Sequence, residues 1–576
     1  MPSASEPNAQ FAIRTSKWRP APRLLLGLAT AFVLLYGVVY PNLSIVVESV
    51  HHDGVWSLRS YADALSQHVV IEAIVNSIVL SLGSVLLCAL VGIPLAFLFE
   101  KYAFPGRRLF AAFAALPLVL PPLVGTVAFI FLCGESGILA RVVQKILGLT
   151  APPWTLRGWG ALLVFHTYTM YPFFYVLTAA GLRRIDAGLA EAAKGLGANK
   201  FIVLRRVLLP QLTPSLIAAA LLTFMTSMAS FSAPLLFGGG VRVLTLEVFT
   251  ARQRGDTTMA VTETVLLAAI SLAALLFFQR YEGTRRFAAA AFKGAPKQST
   301  LATSGHARVL ATVAAVVFSV ALVLPVATLL LVSFASEGSW TTQTLPGSYT
   351  LANYTRLISE PQSTEVVINS FLMSLISALG SLVWAFCVVT LLSNARGEKH
   401  QSIFLRRLVS LLILVPWALP GTVVAVAVAE TYGKPSWLMG SFILVGTFWI
   451  LPVIYFLRFM PLVVRALQAS LEQLDSSLLE AAASLGARAA QRFFRVTLPL
   501  VSPGAIAGTL LAFVIALGEY VASVLVFVPS NRPISIAIAS ELRDFNLGTA
   551  AAYGVVLIVI ISFSMLIASK LEKNRR

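Results

Sequence analysis

The chain is built of long apolar runs separated by short polar islands. A helix needs roughly 20 apolar residues to cross a bilayer. Such runs recur at about 23–47, 70–99, 109–133, 160–181, 214–238, 260–279, 308–333, 366–392, 408–429, 440–462, 503–528 and 551–569. The pattern predicts an all-α polytopic membrane protein with about twelve transmembrane helices. Several runs carry prolines: Pro117, Pro121, Pro122, Pro172, Pro416, Pro420 and Pro452. Each removes a backbone donor and kinks or breaks a helix. Inside lipid this is tolerated where neighbouring helices or a water-filled cavity satisfy the freed carbonyl. These prolines therefore mark packing kinks, hinges or a path lining.

The runs fall into two copies of one series. Asn76-Ser77 precedes the second run and Asn369-Ser370 the eighth. Leu116-Pro117-Leu118-Val119-Leu120-Pro121 in the third answers to Val415-Pro416-Trp417-Ala418-Leu419-Pro420 in the ninth. Tyr171-Pro172 pairs with Leu451-Pro452. Both copies keep the same orientation, so this is a parallel repeat about an axis along the membrane normal. The expected units are 1–290 and 308–576, joined by a basic linker at 291–307 that contains Gly294-Ala295-Pro296-Lys297. A solute path is expected between the halves.

Composition agrees: 57% of residues are hydrophobic and 12% charged. The net charge of +18 could suggest nucleic-acid binding, but its distribution argues for topology instead. With the N-terminus inside, alternate loops hold about 32 of the 43 Lys and Arg, the bias of cytoplasmic loops. Inside loops then carry about +22 and outside loops about −4. No nucleic-acid partner is expected; the basic face meets membrane lipid. Arg14, Lys17, Arg19 and Arg23 precede an apolar run too long for a secretory signal, which predicts an uncleaved first span. Cys88, Cys133 and Cys387 fall in predicted spans, with neither a disulfide framework nor zinc spacing.

The most informative segments are two polar islands, at 182–213 and 463–502. One reads Glu191-Ala192-Ala193-Lys194-Gly195-Leu196-Gly197 and runs on to Val207-Leu208-Leu209-Pro210. The other reads Glu480-Ala481-Ala482-Ala483-Ser484-Leu485-Gly486 and runs on to Val496-Thr497-Leu498-Pro499. In both, Gly lies six residues after the Glu and Pro nineteen. Asp186 is placed to cap a short helix, and Ser477-Leu478-Leu479-Glu480 reads as a capping box in the second copy. The Glu then sits where the helix dipole favours negative charge. Gly197 and Gly486 end each helix in the left-handed conformation. A second amphipathic stretch follows, and Pro210 and Pro499 are expected to stop it before the next span. Interfacial anchoring would explain the arginines but not the identical spacing.

This pattern, Glu-Ala-Ala, three residues, Gly, nine residues, an aliphatic residue, one residue, Leu-Pro, resembles the signature loop of MetI-like permease subunits of ATP-binding-cassette importers. The resemblance covers nearly the whole chain as two permease units and is similar to the fused permeases for iron(III), thiamine and 2-aminoethylphosphonate. It implies that Glu191, Ala192, Ala193, Gly197, Pro210, Glu480, Ala481, Ala482, Gly486 and Pro499 belong to helices that dock on two cytoplasmic ATPase subunits. It also implies a separate extracytoplasmic solute-binding protein, a bacterial inner-membrane location and cytoplasmic termini. The chain carries no Gly-x-x-x-x-Gly-Lys-Ser/Thr phosphate loop, so it is expected to hydrolyse no ATP itself and to need no cofactor. Iron(III) is the first expectation for the solute, with thiamine or 2-aminoethylphosphonate next.

Intramembrane ionisable residues are the default candidates for the path. Glu519, beside Tyr520, is the clearest; its counterpart by the island spacing is Ser230, beside Phe231. Glu519 is expected either to line the path or to bond a neighbouring helix near the outer headgroups. His166 and Tyr168 are expected to pack rather than bind solute. His51-His52-Asp53 lacks a third ligand at a fixed spacing, so no metal site is expected. Arg252, Arg254 and Asp256 are expected on the outer face, where a binding protein could dock. An ion-driven secondary transporter is the alternative class; it would leave the paired islands without a role.

Overall fold

The computed structural model describes residues 20–52, 54–289, 305–340, 343–394, 401–435 and 440–573. Most of the predicted linker, and Asp53, lie outside them. Among the described residues, ten helices are long and apolar enough to cross a membrane. An eleventh span is the pair Arg407–Ala418 and Gly421–Tyr432, bent by 104° at its break. The first of these helices ends at Ala418, and Pro420 is the cap residue from which the second starts at Gly421. The twelfth expected element, Gly158–Arg184, is 27 residues long but less apolar. Its polar run, His166 to Thr169, is walled by helices His68–Lys101 and Leu209–Met228. The run predicted at 440–462 begins its helix only at Ile450. The only paired strands described are His51–His52 and Val55–Trp56.

The two units repeat element by element. Helices His68–Lys101 and Pro361–Asn394 both have 34 residues. Helices Pro122–Cys133 and Gly421–Tyr432 both have 12. Leu209–Met228 and Leu498–Leu517 both have 20, and Leu244–Gln253 and Ile534–Arg543 both have 10. One sequence pairing shifts. Pro172 lies inside its helix, and the residue 289 positions later is Pro461, also inside its helix. Pro452 sits in the first turn, where a missing N–H costs nothing. Pro461, not Pro452, is therefore the counterpart of Pro172.

In a bilayer, helix association is driven by close packing and interhelical hydrogen bonds rather than by apolar burial. The long helix of each unit shows it. Ser77, Ser81, Ser84 and Cys88 are buried, as are Ser370, Ser374, Ser377 and Ser381 in the other unit. The large side chains Ile71, Val75, Val79, Leu82, Leu86 and Leu90 point outward at helical spacing, toward lipid. Ser77 and Ser370 have a shared task. Their hydroxyls accept from the backbone N–H of Leu244 (2.9 Å) and Ile534 (2.7 Å), the first residues of the paired ten-residue helices.

The units interlock. Leu34, Val38 and Ile45 of the first span share a core with Trp384, Tyr455 and Met460 of the second unit. Reciprocally, Gly305–Val332, the first span of the second unit, packs on Arg107–Phe113 and Pro122–Cys133 of the first. The cores at these contacts therefore draw on both units, while one, around Leu80, Phe165 and Phe237, is built from the first unit alone.

Candidate functional site

Each polar island folds into the same small device. In the first unit, helix Ala187–Gly195 is capped by Asp186, whose Oδ1 accepts from Gly188 N–H at 2.9 Å. In the second, helix Ser476–Ser484 is capped by Asp475, which accepts from Ser477 N–H at 2.9 Å. Asp475, two residues before the predicted capping box, therefore does the capping in that copy. The two aspartates occupy equal positions, so the repeat extends to the cap. The Ser477 bonds hold the Asp475 carboxyl below its ordinary range, because they favour the ionised form.

The helix ends are equal too. Gly197 N–H donates to the Lys194 carbonyl and Ala198 N–H to the Ala193 carbonyl, at 2.9 and 3.0 Å. Gly486 and Ala487 repeat these bonds to Ala483 and Ala482, both at 3.0 Å. This double closure needs the left-handed backbone, and Gly197 and Gly486 supply it at φ +84° and +80°. Glu191, Ala192, Glu480 and Ala481 are exposed, and Ala193 and Ala482 half-buried. At each tip a leucine stands almost fully in the open: Leu196 is 89% exposed and Leu485 88%. Phe201 and Phe494 add exposed rings beside them. A capped helix with a bare apolar tip is a shape for insertion into a groove.

Pro210 and Pro499 do not stop the following helix. A short helical turn leads into a π-turn, Leu204–Leu208 or Phe493–Thr497, and then directly into the span that contains the proline. A proline inside an α-helix loses a bond and crowds the carbonyl four residues back. The wider π-turn just before it absorbs that misfit. The same remedy precedes Pro41 in the first span, at Val33–Val39. From Lys200 and from Ala489 onward the chain thus stays helical into the membrane-spanning segment.

At the opposite ends of those spans lie the residues predicted for a path. Phe231 and Tyr520 occupy equal positions in the two units, 289 residues apart, and their rings meet at 5.9 Å. A residue touches its own repeat-mate only near the axis that relates the copies. Both rings are buried. Beside them, a Cβ on Gly518 would lie 2.6 Å from the Pro121 side chain, so the units also touch at backbone range there.

Ser230 and Glu519, the preceding residues, face away from this contact, each toward the fourth span of its own unit. Ser230 Oγ lies 2.9 Å from His166 Nε2. His166 Nδ1 lies 2.9 Å from Ser84 Oγ and 3.1 Å from Ser227 Oγ. Glu519 is 8% exposed and pairs with Arg458, Nη1 to Oε2 at 2.5 Å. Its Oε1 accepts from Ala522 N–H at 2.9 Å. Gly421 makes room for the guanidinium: a Cβ there would lie 2.6 Å from Arg458 Nη1. Arg458 is missing from the sequence-predicted set. Its signal was a single cation inside Val453-Ile454-Tyr455-Phe456-Leu457-Arg458-Phe459-Met460, an apolar stretch with no other charge.

Arg252, expected on the outer face, is paired rather than free: it meets Glu430 at 2.5 Å, and Lys434 bridges Glu430 and Glu48 at 3.9 and 3.2 Å. Three elements from both units are held by these charges. His51 meets Trp56 with ring centroids 4.9 Å apart and the planes tilted by 54°. No group of three or more metal-binding side chains occurs among the described residues.

Comparison with known proteins is consistent along the whole chain. The family described as "Binding-protein-dependent transport system inner membrane component" matches twice, over residues 90–282 and 395–576. A probable ABC transporter permease protein, y4fN, of Sinorhizobium fredii is 30% identical over 87% of this chain and 88% of its own length. A ferric transport system permease protein of Actinobacillus pleuropneumoniae is 24% identical over 96% of this chain and 79% of its own. A probable molybdenum ABC transporter permease protein of Haloferax volcanii is 30% identical over 45% of this chain but 88% of its own. That relative has the length of one unit.

Proposed function

This chain belongs to the family of binding-protein-dependent transport inner membrane components and is a two-unit ABC permease; on that premise we propose how it couples and what it carries. The helices Ala187–Gly195 and Ser476–Ser484 each dock on one cytoplasmic ATPase subunit. Glu191, Ala192, Ala193, Gly197, Glu480, Ala481, Ala482 and Gly486 form the docking pieces, and Pro210 and Pro499 carry the connection into the membrane. The observation that carries this reading is the repetition of the whole device, from Asp cap to left-handed Gly to bare leucine, once in each unit. A secondary transporter has no use for two such protrusions.

Both docking helices and both termini lie on the cytoplasmic side of the inner membrane, an orientation supported by the Lys and Arg bias of the loops. The solute path runs along the axis between the units, with Ser230, Phe231, Glu519 and Tyr520 around it. Phe231 and Tyr520 close it. The cycle is alternating access: ATP closes the ATPase pair, the docked helices follow, and the units open toward an outer solute-binding protein. The solute is iron(III), supported by the ferric permease that matches 96% of this chain.

The test uses the whole complex in proteoliposomes. Glu480→Lys and Gly486→Pro are expected to insert normally but to lose substrate-stimulated ATP hydrolysis and uptake. Normal uptake in both would refute the docking assignment. The solute is tested separately, by purifying the binding protein encoded beside this chain and titrating it with ferric ion, thiamine and 2-aminoethylphosphonate. Binding of either organic solute without ferric ion would overturn the iron assignment.

A further inference from the structure

The Phe231–Tyr520 closure is joined to the docking helices by two routes in each unit. One is the fifth span, which runs from the docking loop to the closure: Leu209–Met228 in the first unit and Leu498–Leu517 in the second. The other is the fourth span, which ends at the docking loop: Gly158–Arg184 and Ile450–Glu472. The two spans of a unit cross at close range. A Cβ on Gly508 would lie 2.5 Å from Ala466 Cβ, and one on Gly181 would lie 2.8 Å from Ser215 Oγ.

We propose that Arg458–Glu519 in the second unit, and His166–Ser230 in the first, are tethers that lock the outer end of the fourth span to the closure, so that the four-helix frame transmits docking-helix motion to Phe231 and Tyr520. The proposal rests on the importer reading above. It assigns positioning roles, since neither Arg458 nor His166 is in contact with the ring pair.

Position carries the argument. Ser230 and Glu519 are equivalent, each one residue before its ring. Their partners come from the same span of each unit, three residues apart in the repeat: Arg458 answers to Thr169, and His166 answers to Tyr455. Tyr455 joins the same junction by its own hydroxyl, 2.7 Å from Ser523 Oγ, which in turn donates to the Glu519 carbonyl at 2.8 Å. Different side chains thus make the same connection in both units. Similar contacts made with different chemistry point to a connection that matters more than its atoms. From Arg458 to Glu472, the last residue of its helix, is 14 residues, about 21 Å at 1.5 Å per residue. That stretch contains Pro461 and packs along Leu498–Leu517, so the two helices carry motion together when the far end is held.

The tethers are unequal. The second is a buried ion pair, where loss of one partner strands a charge. The first is a hydrogen bond between His166 and Ser230, with no charged partner opposite the ring. The Arg458 tether is therefore the stiffer, and breaking it should have the larger effect.

The experiment places cysteines at Phe231 and Tyr520 in a full-length chain whose own three cysteines are replaced by alanine. The complex with its ATPase is reconstituted, and a short bifunctional thiol reagent reports ring separation. In the parent, cross-linking is expected to slow at least fivefold when the ATPase is trapped with ATP. Glu519→Gln should abolish most of that nucleotide response, and Ser230→Ala should reduce it about twofold. The exchanged pair Arg458→Glu with Glu519→Arg should restore the response, which a general folding defect would not allow. An unchanged response in Glu519→Gln overturns the tether. Failure of the exchanged pair to restore a lost response overturns it as well. A parent without any nucleotide response overturns the importer reading, and the tether with it.

Discussion

Two glycines in one docking helix allow the backbone argument to be isolated. Gly195 is the last residue of the helix, and Gly197 is its left-handed terminator at φ +84°. A Cβ added at either would meet nothing within 4 Å. The same methyl group therefore enters open space in both cases, and only the backbone differs. Gly195→Ala replaces the more flexible residue in a right-handed helical turn, worth up to about 1 kcal/mol in favour of the helix. Gly197→Ala forces an L-residue into the left-handed region, at about 1–2 kcal/mol against it. The two variants should differ by roughly 2 kcal/mol in the free energy of the docking-ready helix. At 1.4 kcal/mol per tenfold, that is up to about thirtyfold in apparent ATPase affinity. The assay titrates purified ATPase subunit against the reconstituted permease and reads half-maximal stimulated hydrolysis. Gly195→Ala should match or better the parent, as the Ser484 side chain at the same place in the second unit implies. Gly197→Ala should shift the titration to higher ATPase concentration. Equal shifts in both variants would refute the backbone account and assign the effect to the methyl groups meeting the ATPase.

Other changes test the frame and the caps. Gly508→Leu should lower thermal stability in detergent by crowding Ala466, by about 1–3 kcal/mol, while Gly27→Leu, with nothing within 4 Å, should not; equal melting would remove the close-crossing argument. Ser370→Ala leaves the buried Ile534 N–H without its acceptor, a cost of about 1–3 kcal/mol that thermal unfolding should register. Asp475→Ala should weaken ATPase capture in a pull-down relative to Asp475→Asn, because Asn still caps. The Asp475 carboxyl is held low, so its ionised cap contributes above the ordinary Asp range and is lost only as pH falls through the lowered value. ATPase capture should accordingly be flat between about pH 5 and 8 as far as this cap decides it.

The spans and the doubling were legible because a bilayer imposes length and apolarity, and duplication leaves spacing. The two island helices were legible for a stronger reason. Their geometry is local: cap, short helix and left-handed stop all lie within a dozen residues, and each demands a particular residue type. Where sequence reading failed, the deciding partner was remote or the rule was bent by context. Ser477 fits the local rule for a capping box, yet the chain enters its helix two residues earlier, with Asp475 as the cap. Pro210 and Pro499 would stop a helix preceded by an α-turn; the π-turn that precedes each removes the conflict.

The buried serines show what was available but unread. Ser77, Ser81, Ser84 and Cys88 recur 293 positions later as Ser370, Ser374, Ser377 and Ser381. In a water-soluble helix such a stripe would be the outer face. In lipid the sign reverses, and the small polar stripe is the inner one. Applied to the fourth span of the second unit, the same reversal turns Arg458 inward and requires a partner for it. The nearest unclaimed carboxylate in a span of that unit is Glu519, and the two are paired. Glu519 alone suggested a charge offered to a solute; with Arg458 beside it, the pair is first of all a joint between two helices. The first unit holds the same joint with His166 and Ser230. The joint persists through duplication although neither of its residues does, so the constraint on this part of the chain is mechanical, and it concerns position rather than charge.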